Sequence, residues 1–179
     1  MTQPLPSQRP LYTSEERWRR DHTAWTTVQA VLAPLQFLVF LISLVLVCRS
    51  LWWQLDTDWA LTSVVVKTFL LYTIMVTGCI WEKVVFGQYL FAPSFFWEDV
   101  FSMAVLALHT AYLWVWWQQS ASAEFQLGLA LAAYAAYVIN ATQFLLKLRA
   151  ARLQSQAASS VASGETAYVT PPWPAGETP

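Results

Sequence analysis

Residues Val28–Val47 read VQAVLAPLQFLVFLISLVLV, a run without a single charged side chain. A helix rises 1.5 Å per residue, so about 20 such residues cross a hydrocarbon core ~30 Å thick. Three further apolar runs follow, Ala60–Trp81, Val100–Trp117 and Phe125–Leu146. They are too long and continuous for the short alternating strands of a membrane barrel. A helix, by contrast, satisfies its own backbone in lipid. The first run also lies too deep in the chain, behind a charged stretch, to be a signal peptide. The pattern predicts an all-α membrane protein: a bundle of four transmembrane helices over 26–153, between an N-terminal segment (1–25) and a tail (154–179).

Composition agrees. The 179 residues are 56% hydrophobic, 16% aromatic and 12% charged, whereas soluble domains are about 25% charged. More than half of the charged residues fall before Thr26 or after Leu146, so the middle lacks the polar exterior that a soluble domain of this size needs. The bilayer is therefore the first partner. A net charge of −1 provides no basic surface for nucleic acid.

Orientation follows from the cations that flank the runs. Arg9, Arg17, Arg19 and Arg20 precede the first, and Lys147, Arg149 and Arg152 follow the last. The connector near Asp56 and Asp58 holds no cation, although Arg49 borders it, and neither does Gln118–Glu124. Both termini, and with them the connector 82–99, are expected on the cytoplasmic side of the inner membrane. Trp52, Trp53, Trp59, Trp81, Trp97, Trp116 and Trp117 cluster at helix ends, as interfacial tryptophans do. Thr13-x-x-Glu16 is a capping box for a short helix lying on the membrane surface. The Ala/Ser/Pro-rich tail from Gln154 has too little apolar surface to offset its ordering entropy and is expected to be disordered. Cys48 and Cys79 sit at different depths, which argues against a disulfide or a metal site.

The connector WEKVVFGQYLFAPSFFWED (Trp81–Asp99) holds charged pairs at its ends, Glu82–Lys83 and Glu98–Asp99, with no charge between. Acids in a first helical turn favour the helix dipole. Yet both acid-bearing ends return to one membrane face. There a carboxyl partly desolvated by Phe86, Phe91, Phe95, Phe96 and Trp97 would have a raised pKa and act as a general acid. Glu98, Ser102, Val105, His109, Tyr112 and Trp116 share one helical stripe, which makes His109 a buried hydrogen-bonded histidine, a proton carrier or an axial ligand to a substrate metal. Asn140, Gln143 and Lys147 share a face of the fourth helix, where amides also join helices together. Lys67, ~22 Å along the helix from Glu82, is expected to snorkel or to pair with Asp56 or Asp58. There is no HExxH, CxxC, phosphate loop or dinucleotide fingerprint, and two histidines cannot supply a bis-histidine haem within the bundle.

The segments LYTSEERWRRDHTAW (Leu11–Trp25), WTTVQAVLAPLQFLVFLISLVLV (Trp25–Val47), VVVKTFLLYTIMVTGCIWEKVVFGQYLFAPSFFWEDVFSMAVLALHTAYL (Val64–Leu113), with WEKVVFGQYLFAP and FFWEDVFSM its most specific parts, and YVINATQFLLKLRAARLQ (Tyr137–Gln154) closely resemble the 2-vinyl bacteriochlorophyllide hydratase family. The resemblance spans about residues 11–154. It implies a hydro-lyase of bacteriochlorophyll biosynthesis that adds water to the 3-vinyl group of chlorophyllide a, or of a related precursor, to give a 3-(1-hydroxyethyl) group. The implied partner is a magnesium chlorin, with other pigment-biosynthesis enzymes and further copies of the chain as candidate neighbours. No separate cofactor is implied, since the magnesium belongs to the substrate. On that reading Glu98 or Glu82 protonates the terminal vinyl carbon, and Asp99 or the other glutamate activates the water. Lys83 or Lys147 would hold the propionate and His109 or a water would ligate magnesium. Tyr89, Trp97, Asn140 and Gln143 complete the expected substrate site. The competing classes are a non-enzymatic pigment-binding or assembly protein and, more weakly, a small transporter.

Overall fold

The computed structural model describes residues 11–168. Those residues form five helices: α1 (Ser14–His22), α2 (Ala24–Trp53), α3 (Thr57–Phe86), α4 (Phe96–Gln118) and α5 (Ala123–Tyr168). Four are long and apolar enough to cross a membrane, the last of them over Ala123–Leu153. The chain divides into two compact units, Tyr12–Phe144 and a second that comprises Met1–Leu11 and Leu145–Pro179. All that follows concerns the first unit unless stated.

Local chemistry sets the helix ends. Thr13 accepts from the Glu16 N–H while Glu16 accepts from the Thr13 N–H, so the capping box starts α1. Thr23, in extended conformation, ends α1 and caps α2. Helix α2 turns into α3 through Gln54 and Asp56, both left-handed, and the Arg49–Asp56 ion pair (2.8 Å) and the Ser50–Thr57 hydroxyl contact (2.9 Å) lock that hairpin. Asp56 is therefore satisfied by Arg49 and not by Lys67.

The distribution of residues around α2 is inverted relative to a soluble helix. Its buried stripe is Gln36, Phe40, Ser43, Val47 and Ser50, and its exposed stripe is Val31, Leu35, Leu38, Ile42 and Val45. Polar groups turn inward and branched aliphatics outward because lipid is as apolar as leucine, whereas the interior offers hydrogen-bond partners. Ser43 thus meets Ser63 of α3 and Tyr134 of α5. Fully buried Ala60, Ala130 and Ala133 mark where backbones approach closely.

Helix α5 continues to Tyr168, past the point where composition suggested a disordered tail. Extending an existing helix avoids the nucleation cost, and the alanines after Gln154 favour helix. Residues 169–179 lie outside the described residues.

Candidate functional site at the α3–α4 connection

Trp81 Nε1 donates to Thr26 Oγ1 (2.9 Å), and the Phe95 ring stacks on Phe144 (6.1 Å). The start of α2, the end of α3 and the start of α4 therefore meet at one end of the unit, together with the last residues of α5 that belong to it. There α3 stops at Gly87, whose φ of +84° favours glycine. The Gly87 N–H donates to the Lys83 carbonyl (3.0 Å), and Lys83 Nζ donates to the Gly87 carbonyl (2.6 Å).

The connection then makes a tighter turn at Phe91, a non-glycine residue at φ +60°. That conformation costs roughly 1–2 kcal/mol, so something must hold it. Two carboxyl groups do so. Asp99 Oδ2 accepts from the Phe91 N–H (2.6 Å) and Glu82 Oε1 accepts from the Ala92 N–H (2.8 Å). Two successive backbone N–H groups are thus clamped by acids from two different helices. Because those N–H groups are adjacent in the chain, the two carboxyl groups are close neighbours at the bend. Two carboxyl groups held this close are favoured when one of them keeps its proton. Both residues are buried.

Aromatic rings cluster at the same end of the unit. Phe95 and Phe86 meet at 5.6 Å, and Trp81 and Tyr12 contact both. Phe86 and Phe95, two of the aromatics expected at this end, belong to that ring cluster. Phe91, Phe96 and Trp97 instead form an exposed aromatic ledge, Phe91 on Phe96 (5.7 Å) and Phe96 on Trp97 (5.6 Å). Tyr12, Trp81 and Phe144 take their place in the wall. Burial pushes the Tyr12 phenol up from its ordinary value, an effect the Arg20 guanidinium partly opposes.

The other expected residues lie as follows. Glu98 is buried on the stripe that carries Ser102 and His109, one position away from Asp99. Asn140 Nδ2 donates to Ser102 Oγ (2.9 Å). Asn140 Oδ1 and Gln143 Oε1 are buried with no hydrogen-bond partner among the described residues. Tyr89 is exposed beneath the Lys83 ammonium, which lies 5.3 Å from its ring centre. Lys147 belongs to the second unit.

Lys67 requires correction. It does not snorkel, and no aspartate pairs with it among the described residues. It is fully buried and bonded to His109 Nε2 (2.9 Å), with its ammonium 4.3 Å from the Tyr137 ring centre and 5.0 Å from that of Tyr134. His109 Nδ1 faces the Val105 carbonyl (2.8 Å), which makes Nδ1 the donor and Nε2 the acceptor. The nitrogen that would ligate a metal is thus occupied, and an axial role would require the Lys67 bond to break. Cys48 and Cys79 are free thiols, and no group of three metal-ligating side chains exists among the described residues.

Comparison with known proteins follows the same regions. The profile of the family described as 2-vinyl bacteriochlorophyllide hydratase matches residues 12–150. A protein of that name from Rhodobacter capsulatus is 65% identical over 150 residues, covering 84% of this chain and 87% of the relative. Another of that name, from Cereibacter sphaeroides, is 63% identical over 161 residues, covering 88% of this chain and 98% of the relative. No solved structure matches the chain.

Proposed function

The chain belongs to the 2-vinyl bacteriochlorophyllide hydratase family, and from that premise we propose that it is a hydro-lyase of bacteriochlorophyll biosynthesis that hydrates the 3-vinyl group of a chlorophyllide to a 3-(1-hydroxyethyl) group. The observation that carries the chemistry is the pair Glu82–Asp99, two buried carboxyl groups that bind successive N–H groups of the bend at Phe91.

Hydration needs a proton donor and then a proton acceptor, and one carboxyl pair serves as both. The shared proton passes to the terminal vinyl carbon. The adjacent carbon becomes cationic, its charge delocalised into the macrocycle and stabilised by the carboxylate left behind. Water adds to that carbon, and the proton it releases returns to the pair. Atoms and charge balance with each turnover, and the addition requires no redox cofactor. Glu98, buried on the stripe of Ser102 and His109, would order the interior side of the site. The exposed ledge Phe91–Phe96–Trp97 is a flat apolar surface against which the pigment ring stacks. Lys83, at the same end, is the cation offered to a propionate.

The cation distribution supports a multi-pass protein of the inner membrane, with both termini and this site facing the cytoplasm. Purified protein incubated with chlorophyllide a tests the reading: a hydratase gives a pigment heavier by one water. Recovery of unchanged pigment, still bound, marks a carrier and overturns it.

A further inference from the structure

We propose that the bundle interior holds a bound-water site between the Lys67–His109 pair and the acid pair, ringed by Gln36, Ser102, Asn140 and Gln143, and that it supplies the water used in hydration. The supply role rests on the hydratase reading; the site itself does not.

The site is a layer in the fold. Phe40 of α2 meets Tyr137 of α5 with ring centres 4.9 Å apart, directly beside the Lys67 ammonium. Moving toward the acid pair, Gln36 lies four residues from Phe40 on the same buried stripe, and Asn140 lies three residues beyond Tyr137. Each step is about one helical turn, so the two amides fall at one level. Ser102 of α4, bonded to Asn140, belongs to that level, three residues from Asp99. Gln143 lies one turn further toward the acids.

These residues hold four unsatisfied atoms. Gln36 is 2% exposed, and neither Nε2 nor Oε1 has a hydrogen-bond partner among the described residues. Asn140 Oδ1 and Gln143 Oε1 are in the same condition. An orphaned buried amide is costly wherever it occurs, and neighbouring turns concentrate these. Together they offer donors and acceptors of both kinds, the mixture that a water with three hydrogen bonds requires. An apolar ligand would leave the amides unsatisfied. A water drawn from this layer has about 5 Å of helix axis to cover, from Ser102 to Asp99.

The test uses the full chain in lipid nanodiscs. Hydroxyl radicals generated from water by an X-ray pulse label side chains next to bound water, and oxidation at Phe40 and Tyr137 is read by mass spectrometry. Labelling of both buried rings is expected, falling several-fold in Gln36→Leu and kept in Gln36→Ser, which leaves space and a hydroxyl. Gln36→Met replaces the leucine variant if that variant loses its helical circular dichroism. Absent labelling in the wild type, or equal labelling in the apolar variant, overturns the site. Lost labelling with a several-fold lower kcat and unchanged KM supports the supply role, whereas lost labelling at wild-type kcat overturns it. A labelled wild type that forms no hydrated pigment counts against the hydratase reading while the water site stands.

Discussion

Helices α3 and α4 are joined by two buried pairs of ionisable side chains, and the pairs differ in what surrounds them. Glu82 and Asp99 sit where the helices give way to a bend, and each spends one oxygen on a loop N–H. Lys67 and His109 sit mid-helix, fully buried, with the lysine over the rings of Phe40, Tyr134 and Tyr137. The acid pair lies beside an exposed aromatic ledge and a strained residue. The Lys–His pair is sealed in regular helix. Strain and mobile backbone belong where a substrate must enter, and a pair enclosed by helices fixes packing. Two buried ionisable pairs on the same two helices thus sit in opposite settings, one at an open bend where we propose the chemistry, the other enclosed by regular helix.

The largest effect expected is on rate. Glu82→Gln and Asp99→Asn each lower hydration about 10²–10⁴-fold, the range of a lost general acid, with little change in thermal unfolding because the amide oxygens still accept from Ala92 and Phe91. The double variant is no slower than the worse single one, since the pair acts as a unit. Full additivity would break the idea of a shared proton.

Lys67→Leu reverses the pattern. Leaving the buried His109 Nε2 without its donor costs roughly 1–3 kcal/mol, read as denaturant unfolding in detergent, and pairing it with His109→Leu recovers most of the loss. A Lys67→Leu protein of wild-type stability that is catalytically dead would erase the contrast. Smaller still is Thr13→Ala, which costs about 1 kcal/mol of α1 stability, measured by hydrogen exchange over 14–22. Tyr12 adds an alkaline test. Its folded pKa lies above its unfolded value, so its contribution is whole below that unfolded value and is lost as pH rises through the folded one. Tyr12→Phe removes this alkaline loosening of α1. Trp97, 66% exposed, is expected to move stability by less than about 0.5 kcal/mol on truncation to alanine, raising KM instead.

Hydropathy alone located the four spans, because lipid imposes length and polarity on every crossing segment. Period 3.6 likewise revealed the α4 stripe, whose Glu98, Ser102, Val105, His109 and Tyr112 are all buried. The two acid-bearing helix ends were legible as neighbours since one connector joins them. Which acids pair was not, for that depends on the angle at which α4 leaves the bend, and the left-handed Phe91 sets it. Lys67–His109 escaped for a related reason. The residues lie 42 positions apart, and only the vertical register of α3 against α4 brings them level. Two cation-forming side chains also give no charge-complementarity signal. The aromatic wall was half legible: Phe86 and Phe95 lie on the connector, whereas Tyr12 and Phe144 arrive from distant segments.

Single-turnover hydration of chlorophyllide a by Glu82→Gln, Asp99→Asn and Glu98→Gln, measured side by side on correctly folded protein, tests most directly whether the paired acids deliver the proton. Glu82→Gln and Asp99→Asn should fall at least about a hundredfold, with Glu98→Gln within a few-fold of wild type. Wild-type rates in the first two, or the deepest loss in Glu98→Gln, would contradict the assignment.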